Sequence, residues 1–131
     1  MFKQISSFCF IILTIVALSG CSSITSFRVN VDVSGNVDNS EKVVDFANKI
    51  KNKKESVLEI TSTTIEGKKV TSKYEYNGKD IKYTITYPKN NDKPIICSSI
   101  NKEEKSNSHV YNLVKCDGEK RLTLIEIKKG K

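Results

Sequence analysis

Asn77-Gly78 lies between two runs in which apolar and polar residues alternate, and this pairing restricts the middle of the chain to a β-hairpin. A type I′ turn requires positive φ at both central positions, which Asn and Gly adopt most readily. Placing the turn there predicts a register, with Tyr74 opposite Ile81, Ser72 opposite Tyr83 and Val70 opposite Ile85. Val70, Tyr74, Tyr76, Ile81, Tyr83, Ile85 and Tyr87 then share one face. Lys73, Glu75, Asp80 and Lys82 share the other. Turn chemistry and hydrophobic pattern agree.

The rest of the chain follows the same logic. Phe27, Val29, Val31 and Val33 alternate with Arg28, Asn30, Asp32 and Ser34, which is a half-buried strand. Ser34-Gly35-Asn36 reads as a turn. Asn39 or Ser40 can cap a helix over about residues 40–53. Val43, Phe46, Ala47 and Ile50 form its apolar face, and Lys49, Lys51, Lys53 and Lys54 crowd its C-terminal end, where cations suit the dipole. Beyond Ser56 the helical spacing disappears. Strands are expected over 56–65, 69–76, 81–87, 95–102, 108–116 and 121–127, with a polar loop over 88–94. The expected fold class is α+β, with one amphipathic helix packed on an antiparallel sheet in meander. The order resembles that of cystatin-like and other open-faced folds, which host unrelated functions.

Two cysteines fall in this β-rich half. If residues 106 and 107 form the hairpin tip, Cys97 lies directly opposite Cys116, and an exported chain would oxidise them. A structural disulfide between Cys97 and Cys116 is therefore expected. A metal site lacks ligands, because His109 is the only histidine and there is no C-x-x-C.

Export is itself legible. Lys3 precedes an apolar run from Phe8 to Leu18, interrupted only by Thr14, and Ser19-Gly20 follow as small residues ahead of Cys21. This is the order of a signal peptide. The run of about 11 residues would extend ~16 Å as a helix, short of a bilayer core of roughly 30 Å. Leu18-Ser19-Gly20-Cys21 resembles the lipobox of bacterial lipoproteins. The resemblance implies cleavage before Cys21 and a thioether-linked diacylglycerol on it, with fatty chains such as palmitate holding the protein to the outer face of the cell membrane. Two chains on one cysteine hold stably where one holds only marginally. The expected organisation is a signal peptide over 1–20, a lipidated tether over 21–26 and one α+β domain over 27–131.

The formal net charge is +7. The basic residues are almost all lysine and are interleaved with acids along the whole chain, as on a solvated surface, so no nucleic-acid partner is expected. Attraction to anionic headgroups or wall polymers suits a domain held beside them. Catalytic motifs are missing: there is no nucleophile elbow, P-loop or glycine-rich phosphate cradle. His109 is the one candidate base. Glu103-Glu104, and Glu75 with Asp80, are carboxylate pairs at solvated positions rather than across a cleft. No catalytic residue, cofactor or metal is assigned. The tyrosines Tyr74, Tyr76, Tyr83 and Tyr87 are the candidate binding residues. They are either core beneath the helix or an exposed aromatic patch for a peptide, glycan or protein.

From Val31 to Ile127 the chain resembles a family of small uncharacterised lipoproteins of Bacillus-type bacteria, a domain of unknown function. The residues that carry the resemblance are Val33, Gly35, Val37 and Asn39 before the helix, and Phe46, Ile50, Asn52 and Lys54 on it or just past it. Thr64-Ile65-Glu66-Gly67, Tyr74-Glu75-Tyr76-Asn77-Gly78-Lys79, Ile81-Lys82-Tyr83, Cys97, Tyr111, Leu113 and Cys116 complete it. These are turn and core positions, so the resemblance implies fold and surface attachment and no catalytic residue. The expected role is non-catalytic binding of a protein, peptide or wall component near the membrane. Inhibition of a secreted protease or lysozyme, and a minor wall-associated enzyme activity, are the alternatives.

Overall fold

Nine strands and one helix form among the residues that the computed structural model describes, 23–118 and 120–130. The signal peptide, Cys21 and the start of the tether lie outside them. In chain order the elements are β1 (Thr25–Val31), β2 (Val37–Asp38), α1 (Glu41–Lys51), β3 (Ser56–Thr63), β4 (Lys69–Tyr76), β5 (Ile81–Tyr87), β6 (Ile95–Cys97), β7 (Ser99–Glu104), β8 (Ser108–Cys116) and β9 (Lys120–Lys128). The architecture is the expected α+β one, mostly antiparallel sheet with a single helix in strand–helix–strands order.

One pairing is parallel. β1 runs beside β3 in the same direction, Phe27 against Leu58 and Val29 against Ile60, because α1 carries the chain back between them. The other pairs are antiparallel, and the large sheet has the order β2-β1-β3-β4-β5-β6. Val43, Phe46 and Ile50 are the buried face of α1. Ser40 stands at its N-cap, but the hydroxyl makes no capping bond.

The expected strand over 95–102 bends at Ser98. Its first part, β6, pairs with β5, and its second part, β7, opens a three-stranded sheet β7-β8-β9. The end of β8 still holds β6, as Ser98 N donates to Val114 O (3.1 Å) and Asp117 N to Ile96 O (2.9 Å). The tip of the β7–β8 hairpin is Ser106-Asn107, with Lys105 N donating to Ser108 O. The register therefore sets Cys97 facing Cys116, and the two form a disulfide. This bond joins the two sheets at their shared corner. Both sheets and the helix then contribute to one core, from Phe27, Leu58 and Tyr74 through Phe46 to Leu113 and Ile125.

The β4–β5 hairpin departs from the expected register by two residues. Tyr76 pairs with Ile81, Tyr74 with Tyr83 and Ser72 with Ile85. The connection is the four residues 77–80 rather than two. The Asn77 side chain accepts from the backbone N–H of Lys79 (2.8 Å) and of Asp80 (2.7 Å), and Asn77 N donates to Asp80 O. That Asx geometry replaces the type I′ turn, and Gly78 alone takes positive φ, 92°. A shift of two leaves every side chain on its face, since strand side chains repeat every second residue.

Candidate functional site

Two turns and one bulge build an apolar groove at the end of the large sheet where β1 and β3 finish. The β3–β4 turn is tied by Thr64: its N–H donates to Lys68 O, its carbonyl accepts from Gly67 N, and its hydroxyl accepts from Lys68 N. Gly67 takes φ 80°, a region that costs a side chain about 1–2 kcal/mol. This knot holds Ile65 outward, 92% exposed. After β1, the Asp32 carboxylate accepts from the backbone N–H groups of Ser34 and Asn36 (both 2.9 Å) and from Asn36 Nδ2 (3.0 Å). These donors, those of Asn36 above all, hold the Asp32 carboxyl below its ordinary range. The turn they form leaves Val33 55% exposed.

The bulge lies on β5. Ser72 pairs with Ile85 but Thr71 pairs with Tyr87, so Thr86 is an extra residue. It switches Tyr87 from the core face to the outer face, where Thr61 and Thr71 stand, their hydroxyls 3.0 Å apart. Val33, Ile65, Tyr87 and Pro88 wall the resulting open groove of about 1080 Å³, with Thr61 and Thr71 among its polar lining. Single exposed apolar residues are ordinary. Three large ones converge on this one concavity.

The four candidate tyrosines do not form a patch. Tyr74 and Tyr76 are each 6% exposed and belong to the core. Tyr83 is half-buried and stacks on Tyr74 with ring centroids 5.0 Å apart. Burial, with the neighbouring Tyr83, pushes the Tyr74 hydroxyl far above its ordinary pKa. Only Tyr87 faces solvent. The helix and the small sheet cover the other three, because their face is the one Phe27, Val29 and Leu58 also occupy.

The titratable candidates form surface ion pairs. His109 Nδ1 lies 2.7 Å from Glu104 Oε2 but off the line of a hydrogen bond. Lys102 and Lys129 bind the same carboxylate at 3.1 and 3.2 Å, and these cations, Lys102 first, hold Glu104 down to about 2. Glu75 is flanked by Lys73 (3.0 Å) and Lys82 (3.5 Å). Glu103 accepts from Asn112 Nδ2 at 3.4 Å. Glu75, Glu103 and Glu104 are thus each engaged by a cation or an amide, while the Asp80 carboxylate has no such partner among the described residues. Among the described residues no group of three His, Cys, Asp or Glu side chains could hold a metal ion, and no helix is long and apolar enough to cross a membrane.

Val33 and Ile65 were read in the sequence as strand positions and not as candidate binding residues. Val33 continues the alternation of β1, and only the Asp32 turn removes it. Ile65 carried a signal: an isoleucine directly before Glu66-Gly67, in a turn, has no core to enter.

No protein-family model, no curated protein and no solved structure matches the chain.

Proposed function

We propose that the chain is a lipoprotein held through Cys21 at the outer face of the cell membrane, with a non-catalytic domain that binds a segment of a partner polypeptide in the groove between Ile65, Val33 and Tyr87. Kinship with the small Bacillus-type lipoproteins belongs to the same proposal. The observation that carries the reading is the convergence of those three exposed side chains at the end of β1 remote from Cys21. β1 is seven residues long, which at the strand rise places the groove ~20 Å beyond the residue where the tether enters the sheet. In a chain anchored at Cys21, the groove therefore lies at the end of β1 farther from the point where the tether enters.

A polypeptide fits better than a glycan or wall polymer. The walls are aliphatic, with one ring and several neutral threonine hydroxyls, and of the three charged residues in the lining, Glu66, Lys68 and Lys69, the first two pair with each other at 3.5 Å. That lining suits apolar side chains on an extended backbone more than a hydroxyl-rich ring. The pairing of Glu75 and Glu104 with lysines, and of Glu103 with Asn112, supports the non-catalytic part of the reading.

Two measurements test it. Labelling with a fatty-acid analogue should mark the wild type, while Cys21→Ala stays uncleaved and unlabelled; labelling of that variant at the same level refutes the anchor. Apolar peptides selected from a display library should perturb the amide signals of Ile65, Thr71 and Tyr87. Ile65→Asp should weaken that binding by about tenfold or more, since burying such a side chain is worth about 1.5–3 kcal/mol. Perturbations that map elsewhere, or that survive Ile65→Asp, refute the groove.

A further inference from the structure

The opposite end of the domain carries a different surface. Ile24, Thr25, Lys49, Lys53, Lys54 and Glu55 line a concavity of about 590 Å³ where the tether enters β1. Lys79 joins them from the β4–β5 turn: a Cβ placed on the adjacent Gly78 would lie 3.8 Å from Lys53 O. Among the described residues, none of these four lysines has a carboxylate within ion-pair distance. Three acids stand beside the four lysines, Glu55, Asp80 and Asp45, the last lining an adjoining concavity with Thr25, Lys49 and Lys54, and they leave the end net positive by one charge. Ile24 is 54% exposed, three residues after Cys21.

Capping of the helix dipole accounts for Lys49 and, in part, for Lys53 and Lys54. It accounts neither for Lys79, which is on another element, nor for an exposed isoleucine among lysines. Both are explained if this end meets a bilayer. We infer that the Lys49–Lys53–Lys54–Lys79 face docks on anionic lipid headgroups, with Ile24 entering the interface, so that the domain stands with its groove outward rather than tumbling on its tether. The inference rests on the Cys21 anchor. Four residues of chain reach at most ~14 Å, so a lipid on Cys21 necessarily holds Thr25 and its lysine neighbours near the headgroups. Lysines elsewhere, such as Lys68, Lys89 and Lys93, lie on the β3–β4 turn and the β5–β6 loop, toward the groove end. They have no such constraint.

The test uses the processed, lipidated protein in two vesicle preparations, one of neutral phosphatidylcholine and one containing phosphatidylglycerol. Each is treated with an amine-acylating reagent, and modification is read at every lysine by mass spectrometry. The protein should float with both. Lys49, Lys53, Lys54 and Lys79 should react about fivefold or more slowly on the anionic vesicles, as expected for roughly 1 kcal/mol of headgroup attraction per lysine. Lys68, Lys89 and Lys93 should react alike on both, and high salt should abolish the difference. Flotation with equal reactivity of the two lysine sets overturns the docking and leaves the anchor standing. Failure to float with either vesicle overturns the anchor, and the docking with it.

Discussion

Replacing Cys97 and Cys116 together by alanine should cost this domain a large share of its stability without changing its fold. The bond closes a loop with a sequence separation of 19. In the chain-entropy description, a loop of that size restricts the unfolded ensemble by about 3 kcal/mol. A domain of this length has a total stability of about 5–15 kcal/mol, so the loss is roughly a fifth to three fifths of it. The native structure should persist, because Ser98 N still donates to Val114 O, Asp117 N to Ile96 O and Ile96 N to Asp117 Oδ1 across the same corner. Urea unfolding followed by circular dichroism reads the effect. With a slope near 1.5 kcal/mol/M, the midpoint should fall by about 2 M. Both sulfurs belong to residues at most 1% exposed, so single variants should be at least as damaged as the double variant. A midpoint within about 0.5 M of the wild type would refute the reasoning. It would mean that the unfolded chain is already constrained at this corner, or that the backbone bonds alone carry the junction.

Two further outcomes follow from individual side chains. The Ser56 hydroxyl is fully buried and has no hydrogen-bond partner among the described residues; Ser56→Ala should therefore raise stability by about 1 kcal/mol in the same urea assay, and a loss of that size would contradict it. Glu104 has a folded-state pKa of about 2 against an ordinary 4.5. Because the folded value is the lower one, its contribution is complete above about pH 4.5 and disappears as the pH falls toward 2. Glu104→Gln should flatten that part of the stability–pH curve and leave its slope above pH 5 unchanged.

The helix and most strands were legible because each is set by short-range periodicity. Val43, Phe46 and Ile50 had to share a face, and Phe27 and Val29 had to alternate. The direction of β1 was less so: nothing local in Phe27 to Val31 says whether its neighbour runs parallel, and only the helical return to Ser56 decides it. The disulfide was legible through arithmetic on the Ser106-Asn107 tip. The bend at Ser98 was hidden because β6 and β7 read as one continuous strand. They diverge only because β8 continues past β7 to hold β6 as well, which is a tertiary event.

The groove depends on interruptions of pattern, which is why alternation misplaced its members. Shifting the β4–β5 register by two left every side chain on its expected face, so the core assignment of Tyr74, Tyr76 and Tyr83 did not depend on the turn being read correctly. One extra residue, Thr86, did what the larger register error could not: it moved Tyr87 to the other side of the sheet. Asp32 does the same for Val33 by gathering three donors and ending β1 early. Ile65 already has the outward parity of Thr61 and Thr63, and the Thr64 turn leaves it clear of the sheet. All three devices sit at the same end of the sheet, and those that move Tyr87 and Val33 each cost a core position an apolar side chain. Uninterrupted alternation would keep those two side chains inside. Their joint placement at one groove, at the end of β1 farther from the tether, is the feature on which the proposed polypeptide binding rests.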